Sequence, residues 1–461
     1  MNSIKGKVAA VYGPVVDVIF EDEVGLPKFS ELLQTSNCEG ARVMLEVSEY
    51  LQNNIARCIA FEPTYGLMRG AEVLCLNTVI RVNRSKAVIG RVLNVLGEPI
   101  DNKGALPDVE KMPTKGQDFF SGFMKHAGEQ LHKLEILETG IKAIDLLFPL
   151  VKGSKNGIIG GAALGKSMLT LEIIHNVVKI HRGSCVFCGA GERTREGNEL
   201  YNEFKRAQIL DKIIMVFGQM NESPAARFEV VNTAITLAES LQNMGNDVLF
   251  FLDNIYRFVQ AGGELSALLG RIPSESGYQP TLASEVGRFH ERIRWRHSSS
   301  ITAIETVYVP ADDITDPAVV VIFAYLDSVI VLSREYVQQG MYPAIDPLQS
   351  SSAYLNPQVI NTRHFSVAQE VLRALRRYDE LTRLVAIVGV DELSAQERQA
   401  YERARKLRMF LTQPFFTVEI HTGRQGQYVP LKDTLAGCER ILLGELDKVS
   451  EENFYMIGAL A

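Results

Sequence analysis

The sequence predicts a multidomain chain in three parts: an N-terminal β-barrel, a central α/β P-loop domain and a C-terminal α-helical domain. Three observations carry that division. Up to residue 83, short valine- and isoleucine-rich runs are punctuated by Gly13-Pro14, Gly25-Leu26-Pro27 and Gly70, the spacing of strands joined by turns. In the middle, apolar strand-like runs alternate with helix-like segments, the pattern of a mainly parallel sheet covered by helices. Beyond about Asn356 the segments turn helical. The boundaries expected from these shifts are 1–83, 84–355 and 356–461, and a chain of 461 residues is too long for one core.

In the first part, Ala41 to Val47 and Glu72 to Leu76 read as strands, with no visible chemistry. A looser stretch from Gly90 to Asp101 leads towards Gly160-Gly161-Ala162-Ala163-Leu164-Gly165-Lys166-Ser167, which fits the phosphate-loop pattern G-x-x-x-x-G-K-[ST] without mismatch. The two outer glycines let the backbone turn so that successive N–H groups converge on phosphate oxygens at a helix start. Lys166 then reaches the β- and γ-phosphates and the Ser167 hydroxyl ligates magnesium. The flanks suit this use: Gly157 to Ile159 reads as a buried strand and Met168 to Ile180 as an apolar helix.

Strand-like and helix-like segments alternate after the loop: Ser184 to Cys188, Glu196 to Gln208, Ile213 to Phe217, Ala225 to Met244 and Asp247 to Leu252. The last runs into Asp253, so a buried strand delivers a carboxylate that can hold magnesium, the Walker B arrangement. Gly191-Glu192-Arg193-Thr194-Arg195-Glu196 follows the earlier strand. Hydrolysis of a triphosphate needs a group that orients water and a positive charge for the γ-phosphoryl, and Glu192 and Arg193 offer both. The same residues read equally well as a solvated charge run capping the next helix. At the helical end, Ser366 to Tyr378, Asp379 to Val388 and Ser394 to Leu411 are the expected helices.

Composition narrows the partners. With 48 Lys and Arg against 55 Asp and Glu, the net charge of −7 supplies no basic excess for nucleic-acid phosphates. Cys185 and Cys188 form the one C-x-x-C among six cysteines, yet an offset of three in a strand points them to opposite faces and no second pair completes a zinc site. A reducing compartment fits. The first residues enter strand-like sequence with no signal or transit pattern. The longest apolar run, Ala318 to Leu332, is interrupted by Asp327 and Ser328 and is too short to span a bilayer.

Over essentially its whole length the chain resembles the catalytic beta subunits of F-type ATP synthases. The resemblance is carried by GERTREGN from Gly191, GQMNE from Gly218, LDNIYRF from Leu252, SALLGRIPS from Ser266, GYQPTLA from Gly277, YVPADD from Tyr308, YPAIDPL from Tyr342 and QPF from Gln413. It implies a RecA-like central domain that takes ATP or ADP with magnesium. It also implies a hexamer alternating with alpha-type subunits, a central gamma-type shaft, and a membrane sector moving protons or sodium; the lack of a transit pattern favours the cytoplasmic face of a bacterial membrane, and an organelle-encoded chain would read the same. Carried over by position, Gly160 to Ser167 cradle the phosphates, Ser167 and Asp253 organise magnesium, and Glu192 positions or activates water. Arg193 and Arg257 lie near the γ-phosphate, and Tyr342 and Phe415 pack on adenine. Without the resemblance, those two aromatics read as ordinary core.

The chain departs from that pattern in several places. Ala163 and Leu164 stand where close relatives usually have Gly and Val, and Ser167 replaces Thr. Either hydroxyl can ligate magnesium, whereas the Ala163 Cβ sits where glycine allows close phosphate approach or unusual dihedrals. His421 occupies the place of a second adenine-pocket phenylalanine, and Asp391 to Glu397 is a depleted acidic loop. Such drift fits a divergent branch or a second copy. Two other readings share the core. A homohexameric secretion-type ATPase needs an arginine finger near Ser350 to Ala353, where this chain has Ala353. A nucleotide-binding structural paralogue lacks the catalytic glutamate, which is present here as Glu192.

Overall fold

The computed structural model describes residues 5–21, 25–115, 134–161, 163–180, 183–274, 276–296, 299–310 and 313–460, with Val388 and His421 described by backbone alone. Two compact units emerge. One comprises Met1–Leu131, Ser184–Ile301 and Ile314–Ala324; the other comprises His132–Gly183, Thr302–Asp313 and Tyr325–Ala461.

The first unit opens with a closed antiparallel barrel. Its strands are β1 (Lys5–Tyr12), β2 (Val15–Phe20), β3 (Leu32–Ser36), β4 (Arg42–Leu51), β5 (Ile55–Ala60) and β6 (Glu72–Cys75), paired in the order β1-β2-β5-β4-β3-β6. Alternation supplies the interior: Val16, Val18, Leu33, Val43, Leu45, Val47 and Val73 are almost wholly buried in one cluster. Closure leaves no sheet edge exposed. The segment expected to end at Val47 continues to Leu51, because pairing with Ile55–Ala60 carries it past a register shift between Val47 and Glu49.

The same unit holds the parallel strands Val248–Asp253, Ser184–Glu192, Ile213–Gln219 and Val92–Leu93, adjacent in that order. They are buried along nearly their full length, which is why they read as unbroken apolar runs. Phe187 stacks on Phe251 across neighbouring strands at 5.4 Å. Against this sheet packs the helix Pro224–Asn243, started by Ser223, whose hydroxyl accepts from the Ala226 N–H, with Pro224 in the first turn. Its Glu239 is buried with Arg292 at 2.7 Å and Arg296 at 3.1 Å.

In the second unit, strand Lys155–Ile159 runs parallel to Ser328–Val331 on one side and to the end of Ser299–Val307 on the other. Three long helices follow: Thr362–Val388, Ala395–Phe410 and Leu431–Leu443. The first is one continuous helix where two segments were expected, since Tyr378 at the supposed break stacks on Tyr401 of the next helix at 4.9 Å. Ser394 and Glu397 form a capping box that starts that next helix. The apolar run from Ala318 resolves into a short helix, Pro317–Phe323, and a strand, Ser328–Val331. Among the described residues no helix is long and apolar enough to cross a membrane. The barrel, α/β domain and helical end expected from the sequence are therefore the architecture found.

Candidate functional site

In the second unit the phosphate loop leaves strand Lys155–Ile159 and enters helix Lys166–Ile180. Two residues in it hold left-handed backbone, Gly165 at φ +86° and Ala163 at φ +62°. Glycine adopts that region freely and alanine does not, so Ala163 occupies a glycine-type conformation. The unusual dihedral expected at this position is therefore present. Leu164 between them is buried, its Cδ1 3.3 Å from where a Cβ on Gly160 would stand, and it anchors the loop to the apolar interior. On Gly161, an added Cβ would lie 3.7 Å from Arg334 Nη2. Ala163 and Ser167 are exposed at the helix start, where the helix dipole favours an anion. Lys166 Nζ folds back to donate to the Gly160 carbonyl at 2.8 Å. Ala162 lies outside the described residues.

The same unit gathers the base-side candidates. Gln413 N–H donates to the Tyr342 carbonyl at 2.9 Å, so the segment bearing Phe415 is tied to the one bearing Tyr342. Gln413 is itself clamped: Oε1 accepts from Lys142 N–H at 2.9 Å, and Nε2 donates to the carbonyls of Gly140 at 2.7 Å and Gln427 at 2.6 Å. Phe415 is 6% exposed and Tyr342 42% exposed, so Tyr342 offers the larger open aromatic face. His421 belongs to the short helix Glu419–Thr422, and its side chain lies outside the described residues.

Glu172, which sequence reasoning passed over, lies on the phosphate-loop helix and is fully buried. Its carboxylate accepts from the N–H groups of Phe416 at 3.2 Å and Thr417 at 3.1 Å, and from the Thr417 hydroxyl at 3.2 Å. Burial pushes it up to about 7, against the pull of those donors. Its only sequence signal is a charge among apolar neighbours on the helix.

In the first unit, Glu192 ends strand Ser184–Glu192, which runs on past the expected Cys188 because Ile213–Gln219 continues to pair with it as far as Glu192, while Val248–Asp253 pairs with it as far as Gly189. Gly191 turns the chain there with φ +67°, and a Cβ on it would sit 3.0 Å from Arg257 Cβ. That close approach places the start of the Arg257 side chain beside the backbone preceding Glu192. The register aligns Gly189 with Asp253 on the adjacent strand, bringing both carboxylate-bearing ends to the C-terminal edge of the parallel sheet, where α/β folds bind ligands. The Arg193 N–H donates to Glu192 Oε1 at 3.1 Å. Burial, a hydrogen bond with Glu196 and the charge of Asp253 push the Glu192 carboxyl up to about 9. Arg193 is exposed and lies 3.6 Å from Glu196; Arg257 donates to Gln260 at 3.1 Å. Glu192, Arg193, Asp253 and Arg257 thus share one sheet edge. The thiols of Cys185 and Cys188 are buried and raised, the state of inert structural cysteines.

No group of three or more His, Cys, Asp or Glu side chains able to hold a metal occurs among the described residues. The exposed Ser167 hydroxyl and the Asp253 carboxylate are nonetheless hard oxygen donors of the type magnesium takes. Either one alone suits an ion held largely by water and phosphate oxygens, as opposed to an all-protein cage.

Comparison with family models accounts for most of the chain. The beta-barrel domain of the ATP synthase alpha/beta family matches residues 8–77, and the nucleotide-binding domain of the same family matches 140–352. The C-terminal domain of V and A type ATP synthase matches 353–454. The three follow one another in the order of the barrel, the α/β domain and the helical end. Together the two models of one family span more than half of the sequence, and the chain belongs to the ATP synthase alpha/beta family, as a nucleotide-binding subunit of a rotary ATP synthase or ATPase.

Proposed function

We propose that this chain is the catalytic subunit of an F-type rotary ATP synthase. It interconverts ATP plus water with ADP plus phosphate, coupled through a central shaft to proton or sodium movement in a membrane sector. The observation that supports a catalytic over a structural role is Glu192: a desolvated carboxylate at the end of a buried strand, on the same sheet edge as Asp253 and Arg257. In this reading Lys166 and the loop N–H groups bind the phosphates and Glu192 positions the attacking water. Arg193 and Arg257 meet the charge on the γ-phosphoryl oxygens. Ser167 and Asp253 would hold magnesium, which when bound neutralises phosphate charge. Tyr342 and Phe415 orient the base.

Ala353 supplies no cation to a neighbour, which favours alternation with alpha-type subunits that donate an arginine finger in trans. The assembly would sit at the cytoplasmic face of a bacterial membrane through its partners. A second reading, a V- or A-type subunit, is favoured by the match of residues 353–454 to the C-terminal domain of that type. The test is magnesium-ATP hydrolysis by the chain alone and then with F-type or V/A-type partner sets, beside Glu192→Gln. Low activity alone and a large rise with F-type partners supports the proposal, and a rise with V/A partners supports the second reading. Glu192→Gln should retain nucleotide binding and lose about 100-fold or more in turnover. Near-normal hydrolysis in that variant overturns the role given to Glu192.

A further inference from the structure

The clamp at Glu172 has no part in the chemistry above, yet it joins the two ends of the nucleotide site that lie in one unit. Glu172 lies six residues, about 9 Å of helix, beyond Lys166, and binds a segment 244 residues away in sequence. Two backbone N–H groups and one hydroxyl of that segment point at Glu172, and the carboxylate accepts from all three. One turn on, the His175 ring meets the Phe416 ring at 5.0 Å, and Asn176 Nδ2 donates to the Thr139 carbonyl at 2.9 Å. Phe415 immediately precedes the clamped residues. The phosphate-binding helix and the base-side aromatic are therefore linked through one buried acid.

We infer that Glu172 is a positioning residue that sets Phe415 against the phosphate loop, so that base recognition and phosphate recognition act on one nucleotide. Burial makes the clamp demanding: three donors converge on one carboxylate, and loss of the acid leaves all three without it. Alanine at 172 releases the Phe416-Thr417 backbone but leaves Gly160 to Ser167 and their N–H groups in place. Glutamine offers a single acceptor oxygen, so at least one donor then faces its amide NH2.

The inference rests on the assignment of Phe415 to the base, and the experiment separates the two. Affinities of the full chain for ATP and for inorganic tripolyphosphate, each with magnesium, are measured by calorimetry for the wild type, Glu172→Ala, Glu172→Gln, Thr417→Ala, Thr417→Ser and Phe415→Ala. Glu172→Ala is expected to weaken ATP about tenfold with tripolyphosphate unchanged within about twofold, and Glu172→Gln to fall between. Thr417→Ala should lose less, and Thr417→Ser should restore it. A merely structural acid would lower both affinities together or only the melting temperature, and that result overturns the inference. If Phe415→Ala lowers the ATP to tripolyphosphate ratio while Glu172→Ala does not, the clamp fails and the base assignment stands. If neither variant changes the ratio, the base assignment fails and takes the inference with it.

Discussion

Replacing Ala163 by glycine should stabilise the phosphate loop. At φ +62° an alanine is disfavoured by about 1–2 kcal/mol, because its Cβ crowds the following carbonyl. Glycine removes that crowding but is freer in the unfolded chain, which offsets about 0.5–1 kcal/mol. Because the Ala163 side chain is exposed, its removal forfeits little packing. The net gain is about 0.5–1 kcal/mol, local to the loop. The Leu169 N–H, which donates to the Gly165 carbonyl at 2.9 Å, reports on it. Native-state hydrogen exchange at that amide should slow roughly two- to fivefold in Ala163→Gly. Ala163→Val should speed it, since a β-branched residue fits the left-handed region worse. Unchanged or faster exchange in the glycine variant would show that the loop carries no such strain.

Two further perturbations test the framework around the site. Glu239→Ala leaves Arg292, 2% exposed, buried without its carboxylate, and urea denaturation should report a loss of about 3–5 kcal/mol; a loss below about 1 kcal/mol would show that the pair is dispensable. Lys142 donates to the carbonyls of Ile457 and Gly458, lies over the Phe410 ring at 4.3 Å, and is lowered by burial to about 7. Its folded value lies below its unfolded one, so between about pH 7 and 10.5 the unfolded chain binds the extra proton and stability climbs with pH. Relative to Lys142→Met, the wild type should gain up to about 1.4 kcal/mol per pH unit across that window, read from urea midpoints at each pH. A constant difference would place the lysine in solvent.

What was legible in the sequence followed from local demands. The phosphate loop announces itself because Gly165 must take positive φ and Lys166 must start a helix, and both needs fall on adjacent positions. Strand Val248–Asp253 was visible because both its faces are buried. Where partners decided the outcome, the reading fell short. Gly189, Ala190 and Gly191 have weak strand propensity, so the strand reaching Glu192 was expected to stop at Cys188; pairing with Ile213–Gln219 carries it on. Tyr378 and Asp379 resembled a break in a helical pattern, and only the stacked Tyr401 and the Arg408 guanidinium, 4.6 Å from the Tyr378 ring, explain why the helix continues. Glu172 was illegible for the same reason, since its meaning lies in backbone donors far along the chain.

That distribution bears on how a rotary subunit can move. A gating motion that drew Phe415 away from the phosphate loop would break the three bonds to Glu172, the one Gln413 accepts from Lys142 and the one it donates to Gly140. All are buried or partly buried, and at about 1 kcal/mol each, more for those to the carboxylate, their loss is on the order of 5 kcal/mol. To open the site that way nearly always, a ligand or a turning shaft would have to supply differential binding of that size. A motion that keeps Phe415, Gln413 and the phosphate-loop helix together needs none of it. Phe415 should therefore travel with the phosphate loop as nucleotide binds and leaves. A spin label at exposed Ile420 paired with one at exposed Ile180 should keep a single distance distribution with ATP, ADP or no nucleotide bound. A shift of several ångströms between those states would show that the clamp opens.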